Sequence, residues 1–247
     1  MPGQLEVNGI VLSAAPVKEA DKRVMLLTKE LGRVTAFARG AKRVNSALSA
    51  PTRTFAFGKF RLVPGRDAYT LSQAEITEYF EEIVLDMEKT AYGCYLLDLA
   101  ACFSRENTEE TETLLLVYYA LKAMVKGKIP LKLIQRITEL KLLKISGLCP
   151  DFSVCAVGKE PLSEGFFRKS LMQPVCGEHA DKDARYPLGK SALYALDLIT
   201  RTQPSALFSF VLSDEAYSQM ADVVELLLTR NWDKEPESRK MLTVLTS

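Results

Sequence analysis

The hydrophobic pattern of the chain changes period once, near residue 80, and that change limits the possible folds more than any other feature. Upstream, apolar residues come in short β-branched or aromatic runs: Gln4 to Ser13, Arg23 to Thr28 (RVMLLT), Arg33 to Ala38 (RVTAFA), Arg53 to Val63 (RTFAFGKFRLV) and Tyr69 to Ala74 (YTLSQA). Each is bounded by Gly, Pro, Asp or Lys clusters such as Glu30-Leu31-Gly32-Arg33 and Pro64-Gly65-Arg66-Asp67, the punctuation of strands joined by turns. Five strands within eighty residues predict a small closed barrel. Among five-stranded barrels, the oligonucleotide-binding fold is the one whose exposed face and loops hold single-stranded nucleic acid.

Downstream the period is helical. Val84, Met87, Ala91, Leu96, Leu99 and Phe103 recur at helical spacing through one segment that closes near Arg105. Glu109 to Lys126 carries acids in its first turn and a lysine in its last, which suits the helix dipole, and Gly127 stops it. Pro130 opens a third helix that ends at Gly147, and Ala192 to Thr200 and Asp214 to Arg230 follow, the last with Asp214 as its cap. Cys94 and Cys102 fall on the first apolar helix and read as core residues. The expected fold class is α+β: a five-stranded oligonucleotide-binding barrel over residues 1–80, then a helical domain over 81–247 with a zinc-ribbon-like insertion at about 147–182.

Charge separates the same two parts. The net charge of +1 hides a balance of +5 over residues 1–80 and −4 over the rest, and between Glu30 and Asp67 there are eight basic residues and no acid. Such asymmetry is the footprint of a polyanion-binding module joined to a more acidic one. In the fourth run, alternation places Arg53, Phe55, Phe57, Lys59 and Arg61 on one face, opposite Ala56, Gly58, Phe60 and Leu62. Aromatics interleaved with cations suit base stacking beside phosphate contacts; a bulge near Gly58 that turns Phe55 or Phe57 into the barrel is the alternative. The candidate nucleic-acid-binding residues are therefore the cations Arg33, Arg39, Lys42, Arg43, Arg53, Lys59 and Arg61.

Several function classes drop out. No apolar run approaches the roughly 18 residues that span a bilayer, so no membrane role is expected. The N-terminus lacks a basic segment ahead of an apolar one, which points to a cytoplasmic, thiol-reducing compartment. The chain has a single histidine, His179, and neither an HxE nor an HExxH pattern, so triad hydrolases, zinc proteases and zinc deaminases are disfavoured. Gly189-Lys190-Ser191 resembles the end of a phosphate-binding loop but lacks the upstream glycine and strand, and reads better as a helix start. The chain is expected not to be an enzyme.

The helices are interrupted by GLCPDFSVCAVGKEPLSEGFFRKSLMQPVCGEHA. Cys176 and His179 have two residues between them, the tight spacing of a zinc pair, and Cys149 and Cys155 form a wider one. Cys149, Cys155, Cys176 and His179 are the predicted ligands of one structural Zn²⁺, since four protein ligands leave no position open for water or substrate. Unrelated thiols beside a surface histidine are the alternative.

A basic strand-rich module, a helical domain and a cysteine insertion, in that order, resemble the RecO family of recombination mediators. The resemblance covers essentially the whole chain. ARGAKRVNSALSAPTRTFAFGKFRL at 38–62 is similar to the family segment in which a glycine, a basic pair, a serine and an aromatic run follow the third strand; GLCPDFSVC at 147–155 is similar to the Gly-x-x-Pro that leads into its cysteine cluster. The resemblance implies a bacterial, nucleoid-associated protein whose barrel binds single- and double-stranded DNA and anneals complementary strands. It implies RecR as partner, a contact with the acidic C-terminal tail of single-stranded DNA-binding protein, and indirect action on RecA. Zinc-bearing members carry two CxxC pairs, whereas here Gly158 stands three after Cys155 and His179 stands where a cysteine is usual; Cys149 then replaces the missing ligand, or the site is eroded. For the tail, Lys122, Lys126, Lys128, Lys132, Arg136 and Lys141 form a candidate cationic rim on the middle helices. The competing functional class is a zinc-ribbon RNA-binding adaptor of translation or transcription.

Overall fold

The computed structural model describes residues 3–182, 185–232 and 235–246. Two compact units divide the described chain: residues 1–125 with 236–247, and residues 126–235.

The first unit is built on a closed barrel of β1 (Leu5–Val17), β2 (Asp21–Thr28), β3 (Gly32–Ala38), β4 (Phe57–Val63) and β5 (Tyr69–Glu78) in the order β1-β2-β3-β5-β4. Closure needs β1 to pair with β4 through Leu5–Ile10 and with β2 from Gly9 onward, and a bulge between Val11 and Ser13 lets it turn from one neighbour to the other. β3 and β5 form the parallel pair, Ala36 beside Tyr69 and Phe37 beside Thr70, so the chain between β3 and β4 has to cross an end of the barrel. This is the oligonucleotide-binding topology. Alternation delivers the barrel core, in which Val7, Val11, Val24, Leu26, Val34, Phe60, Leu62 and Leu71 are buried.

The fourth strand begins at Phe57, not at Arg53. Residues 51–55 run through turns, and Phe55 takes a left-handed backbone (φ 74°) with only 2% of its surface exposed. Its ring lies against Gly93, where an added Cβ would come within 2.9 Å of it. Phe55 thus follows its burial next to a helix in place of strand periodicity, which removes it from the expected stacking face. The other expected aromatic, Phe57, is also engaged: its ring packs on Tyr118 at 4.6 Å between centroids.

The expected helix from Glu81 to Arg105 is two helices, α1 (Glu81–Val84) and α2 (Met87–Phe103). Asp86 separates them because its extended backbone and its carboxylate, which accepts from the Lys89 N–H at 3.1 Å, cap α2. α2 is buried on most sides through Ala91, Tyr95, Leu96, Leu99 and Ala100. It packs against β1, α1 and a late helix, α7 (Glu237–Thr246), that sequence periodicity did not reveal. α3 (Thr111–Lys126) lies between them in sequence. Cys94 is half-buried and Cys102 exposed, so neither is a core thiol.

The second unit contains α4 (Leu131–Ile145), α5 (Lys190–Arg201) and α6 (Asp214–Asn231), all in mutual contact, and a three-stranded sheet of β6 (Gly165–Arg168), β7 (Gln173–Val175) and β8 (Tyr186–Leu188) in the order β7-β6-β8. Ser213, one residue before the expected Asp214, caps α6 by accepting from the Ala216 N–H, an interaction worth ~1 kcal/mol.

Candidate nucleic-acid interface and metal centre

The segment between β3 and β4 is a chain of tight turns. Arg43, Ser46, Ser49, Arg53 and Ala56 each donate a backbone N–H to the carbonyl three residues earlier. The segment is also tied to the β1–β2 turn: Gly40 N–H donates to the Asp21 carboxylate at 2.8 Å, Lys42 N–H to the Ala20 carbonyl at 2.9 Å, and Lys22 Nζ to Thr52 Oγ1 at 3.0 Å. A loop held this way presents its side chains at fixed spacing. Arg39, Lys42, Arg43 and Arg53 are all exposed, and none has a carboxylate partner among the described residues. Burial first, then the positive charge of Arg53, holds the Lys22 ammonium below its usual range.

The strand cations differ. Glu6 on β1 reaches across to Lys59 at 3.4 Å and Arg61 at 3.3 Å, and Arg61 also donates to Gln73 Oε1 at 2.6 Å. The Arg61 hydrogen bond, then Lys59, lowers the Glu6 carboxyl from its ordinary value. Glu75 sits opposite Lys59 in register on β5. The window free of acid is thus free only along the chain, since neighbouring strands return acids to Lys59 and Arg61. Arg33 is likewise engaged, donating to the Ala101 carbonyl at 2.5 Å with Glu106 at 3.6 Å. One residue that the sequence reading passed over is Phe37, 37% exposed on β3 and paired in register with Arg23 on β2. Its outward place in the alternation of RVTAFA was the available signal.

In the second unit, side chains of Cys155, Glu160, Cys176 and His179 converge, their ligand atoms all within 4.8 Å of one another. His179 Nδ1 lies 3.1 Å from Cys176 Sγ, 3.5 Å from Cys155 Sγ and 3.7 Å from Glu160 Oε1. Tetrahedral bonds of about 2.0–2.3 Å would set such atoms roughly 3.3–3.8 Å apart, so the spacing suits one four-coordinate ion. Two loops create it. A hairpin closed by Cys155 N–H to Glu160 O and Leu162 N–H to Ser153 O brings Glu160 back beside Cys155, and the turn at Gly177–His179 does the same for His179 and Cys176. A Cβ at Gly158 would meet the Glu160 carboxylate at 1.9 Å, so any larger residue there would have to displace that carboxylate from the cluster.

Backbone N–H groups already serve the sulfurs. Gly158 and Cys176 N–H each donate to Cys155 Sγ at 3.4 Å. Burial pushes the Cys155 thiol up, but these bonds and one from Val157 outweigh it and bring it down to about 7. The hydrogen bond with Glu160 leads the causes that raise Cys176. Cys149 is not part of the cluster. It precedes the hairpin, half-buried, and burial pushes its thiol up to about 12 although Lys144 and Lys141 oppose this. The cluster is compatible with a structural metal whose fourth ligand is Glu160.

Comparison with known proteins addresses the whole chain. The family model described as recombination protein O N terminal matches residues 1–80, and recombination protein O C terminal matches residues 84–240. The chain belongs to the RecO family. Proteins named DNA repair protein RecO include those of Clostridium novyi, 27% identical over 97% of this chain and 94% of the relative, and Clostridium perfringens, 28% identical over 96% and 97%. That of Listeria monocytogenes is 32% identical over 71% of this chain and 69% of its own.

In this RecO-family chain, most of the helix cations expected to rim a peptide pocket are engaged. Lys122 binds Glu78 at 2.5 Å. Arg136 is held between Glu139 at 2.8 Å and Glu225 at 3.1 Å; burial opposes its charge, but the two carboxylates outweigh it and raise its pKa. Lys132 lies 4.7 Å over the Tyr217 ring and 3.8 Å from Asp214, and Lys141 is buried, donating to the Thr200 carbonyl. Lys126 and Lys128 are exposed. Among the described residues no helix is long and apolar enough to cross a membrane.

Proposed function

We propose that this RecO-family chain is a non-enzymatic DNA repair and recombination mediator that binds single- and double-stranded DNA and anneals complementary strands. The observation that carries the reading is the set of four exposed cations, Arg39, Lys42, Arg43 and Arg53, without carboxylate partners on a pinned loop of an oligonucleotide-binding barrel. Phosphates of one strand can follow such a loop, and neutralising them lowers the repulsion that a second strand meets while base edges stay free to pair. Lys59, Arg61 and Arg33 contribute less to this surface, because each already has a carboxylate within 4 Å.

Residues 1–80 then act as the DNA-binding domain and residues 81–247 as the platform for RecR and for the C-terminal tail of single-stranded DNA-binding protein, with RecA loading as the outcome. The setting is the bacterial cytoplasm, at the nucleoid. Zn²⁺ fits the cluster of Cys155, Glu160, Cys176 and His179: two sulfurs and an imidazole suit a borderline-soft ion, and N–H groups support the Cys155 sulfur as a thiolate. Bound there, it would cross-link two loops and perform no chemistry on substrate.

The test is annealing of complementary oligonucleotides coated with single-stranded DNA-binding protein. The full chain is expected to speed annealing over the uncatalysed reaction and to lose that effect when Lys42 and Arg43 become alanine. Absence of acceleration, with tighter binding to structured RNA than to single-stranded DNA, would contradict the proposal.

A further inference from the structure

The first unit contains a cleft of about 810 Å³ where β1, the β3–β4 loop and the start of α1 and α2 meet. Its volume lies within the range of small-ligand sites. Ala14 and Pro16 of β1, Tyr79, and Val84 and Leu85 at the end of α1 make an apolar wall. Val84 is 58% and Leu85 87% exposed, so water faces a concave apolar surface that an occupant would cover. Three cations, Lys22, Lys42 and Arg53, also line it, while Glu81 is the single acid of the lining.

We propose that this cleft receives one unpaired nucleobase of a bound single strand, whose flanking phosphates rest on Lys42 and Arg53. The inference rests on the loop reading above and adds a base subsite to it. Charge complementarity selects the occupant: Lys42 and Arg53 of the lining belong to a loop that also exposes Arg39 and Arg43, which suits a repeating anion longer than one carboxylate. Lys22 Nζ donates to Thr52 Oγ1 and the Ser49 carbonyl while the positive charge of Arg53 acts against it, so an anion beside the two would offset that repulsion. Half-buried Tyr79 lines the cleft and is the candidate stacking partner for the base. Among the lining hydroxyls, Thr52 and Thr90 already donate to the Leu48 and Ile83 carbonyls, which leaves fewer side chains to read a base edge, so the subsite accepts any base, as a mediator without a sequence preference needs. A paired base is excluded unless it is first extruded from the stack, which makes the cleft selective for single strands.

The experiment measures affinity of the full chain for two single strands of equal length at one salt concentration, one oligothymidine and one with an abasic backbone. The parent is expected to prefer the base-bearing strand by about tenfold, within the range for one stacked base. Val84→Ser with Leu85→Ser, both at an exposed helix end, should bring the two affinities together, and Thr54→Trp, which fills the cleft, should do the same. Equal affinities in the parent, or a preference that survives both variants, would overturn the proposal. So would an acidic peptide with a terminal phenylalanine that binds the parent and is lost in the serine variant while the base preference remains. If Lys42→Ala with Arg43→Ala leaves affinity for both strands intact, the loop reading itself has failed; if that variant weakens both strands and no base preference exists, only the cleft assignment has.

Discussion

At the scale of single residues, the cluster of Cys155, Glu160, Cys176 and His179 shows what residue spacing alone does not reveal. A count restricted to cysteine and histidine selects Cys149, because the alternative, Glu160, is one of 31 acids in the chain and nothing in its local sequence distinguishes it. What selects Glu160 is the hairpin that pairs Val154 with Pro161 and the absence of a Cβ at Gly158. Purified protein is expected to hold about one zinc per chain by elemental analysis, to lose it on Cys176→Ser, to bind it more weakly on Glu160→Ala, and to keep it on Cys149→Ser. Because burial leaves the Cys149 thiol near 12, it stays protonated at pH 8 and should react slowly with alkylating reagents even when the metal is removed. Loss of zinc in the Cys149 variant alone would return that residue to the ligand set.

At the scale of elements, the regular parts of the fold were legible and their interruptions were not. Alternation located all five barrel strands, because one face of each strand is buried and the period is two. It failed between Arg53 and Phe57, where Phe55 is buried against α2. Helical spacing ran across Asp86 without registering the cap that divides α1 from α2, and it missed α7, a short helix whose Leu242 is buried in the unit that also holds the barrel. The same limit applies to the strand cations, since one strand's sequence does not show which charges its neighbours set opposite. Here Glu6 of β1 makes the difference, and Glu6→Gln is expected to release Lys59 and Arg61. If both then reach phosphate, the slope of log affinity against log salt for single-stranded DNA should steepen by up to about 1.4. Fluorescence anisotropy across a salt series measures it; an unchanged slope would mean that the β4 face does not meet DNA.

For the whole molecule, a near-zero net charge conceals a basic N-terminal part and an acidic remainder, and only in the folded chain do the basic residues separate into free and paired sets. On the β3–β4 loop, Arg39, Lys42, Arg43 and Arg53 are exposed with no carboxylate partner among the described residues. The loop is irregular, so no periodicity marked it, but its composition did: Gly40 followed by a basic pair in a stretch without acids. The central claim is that this loop carries DNA binding by phosphate contact, and the salt dependence of single-strand affinity tests it most directly. With the four loop cations on phosphate the slope of log affinity against log salt should be roughly −0.7 × 4, or about −2.8. Replacing Lys42 and Arg43 by alanine should bring it to about −1.4 and weaken binding to all sequences alike. A double variant that keeps the parent's affinity and slope, while reversing the charges of Lys126 and Lys128 abolishes binding, would contradict the account.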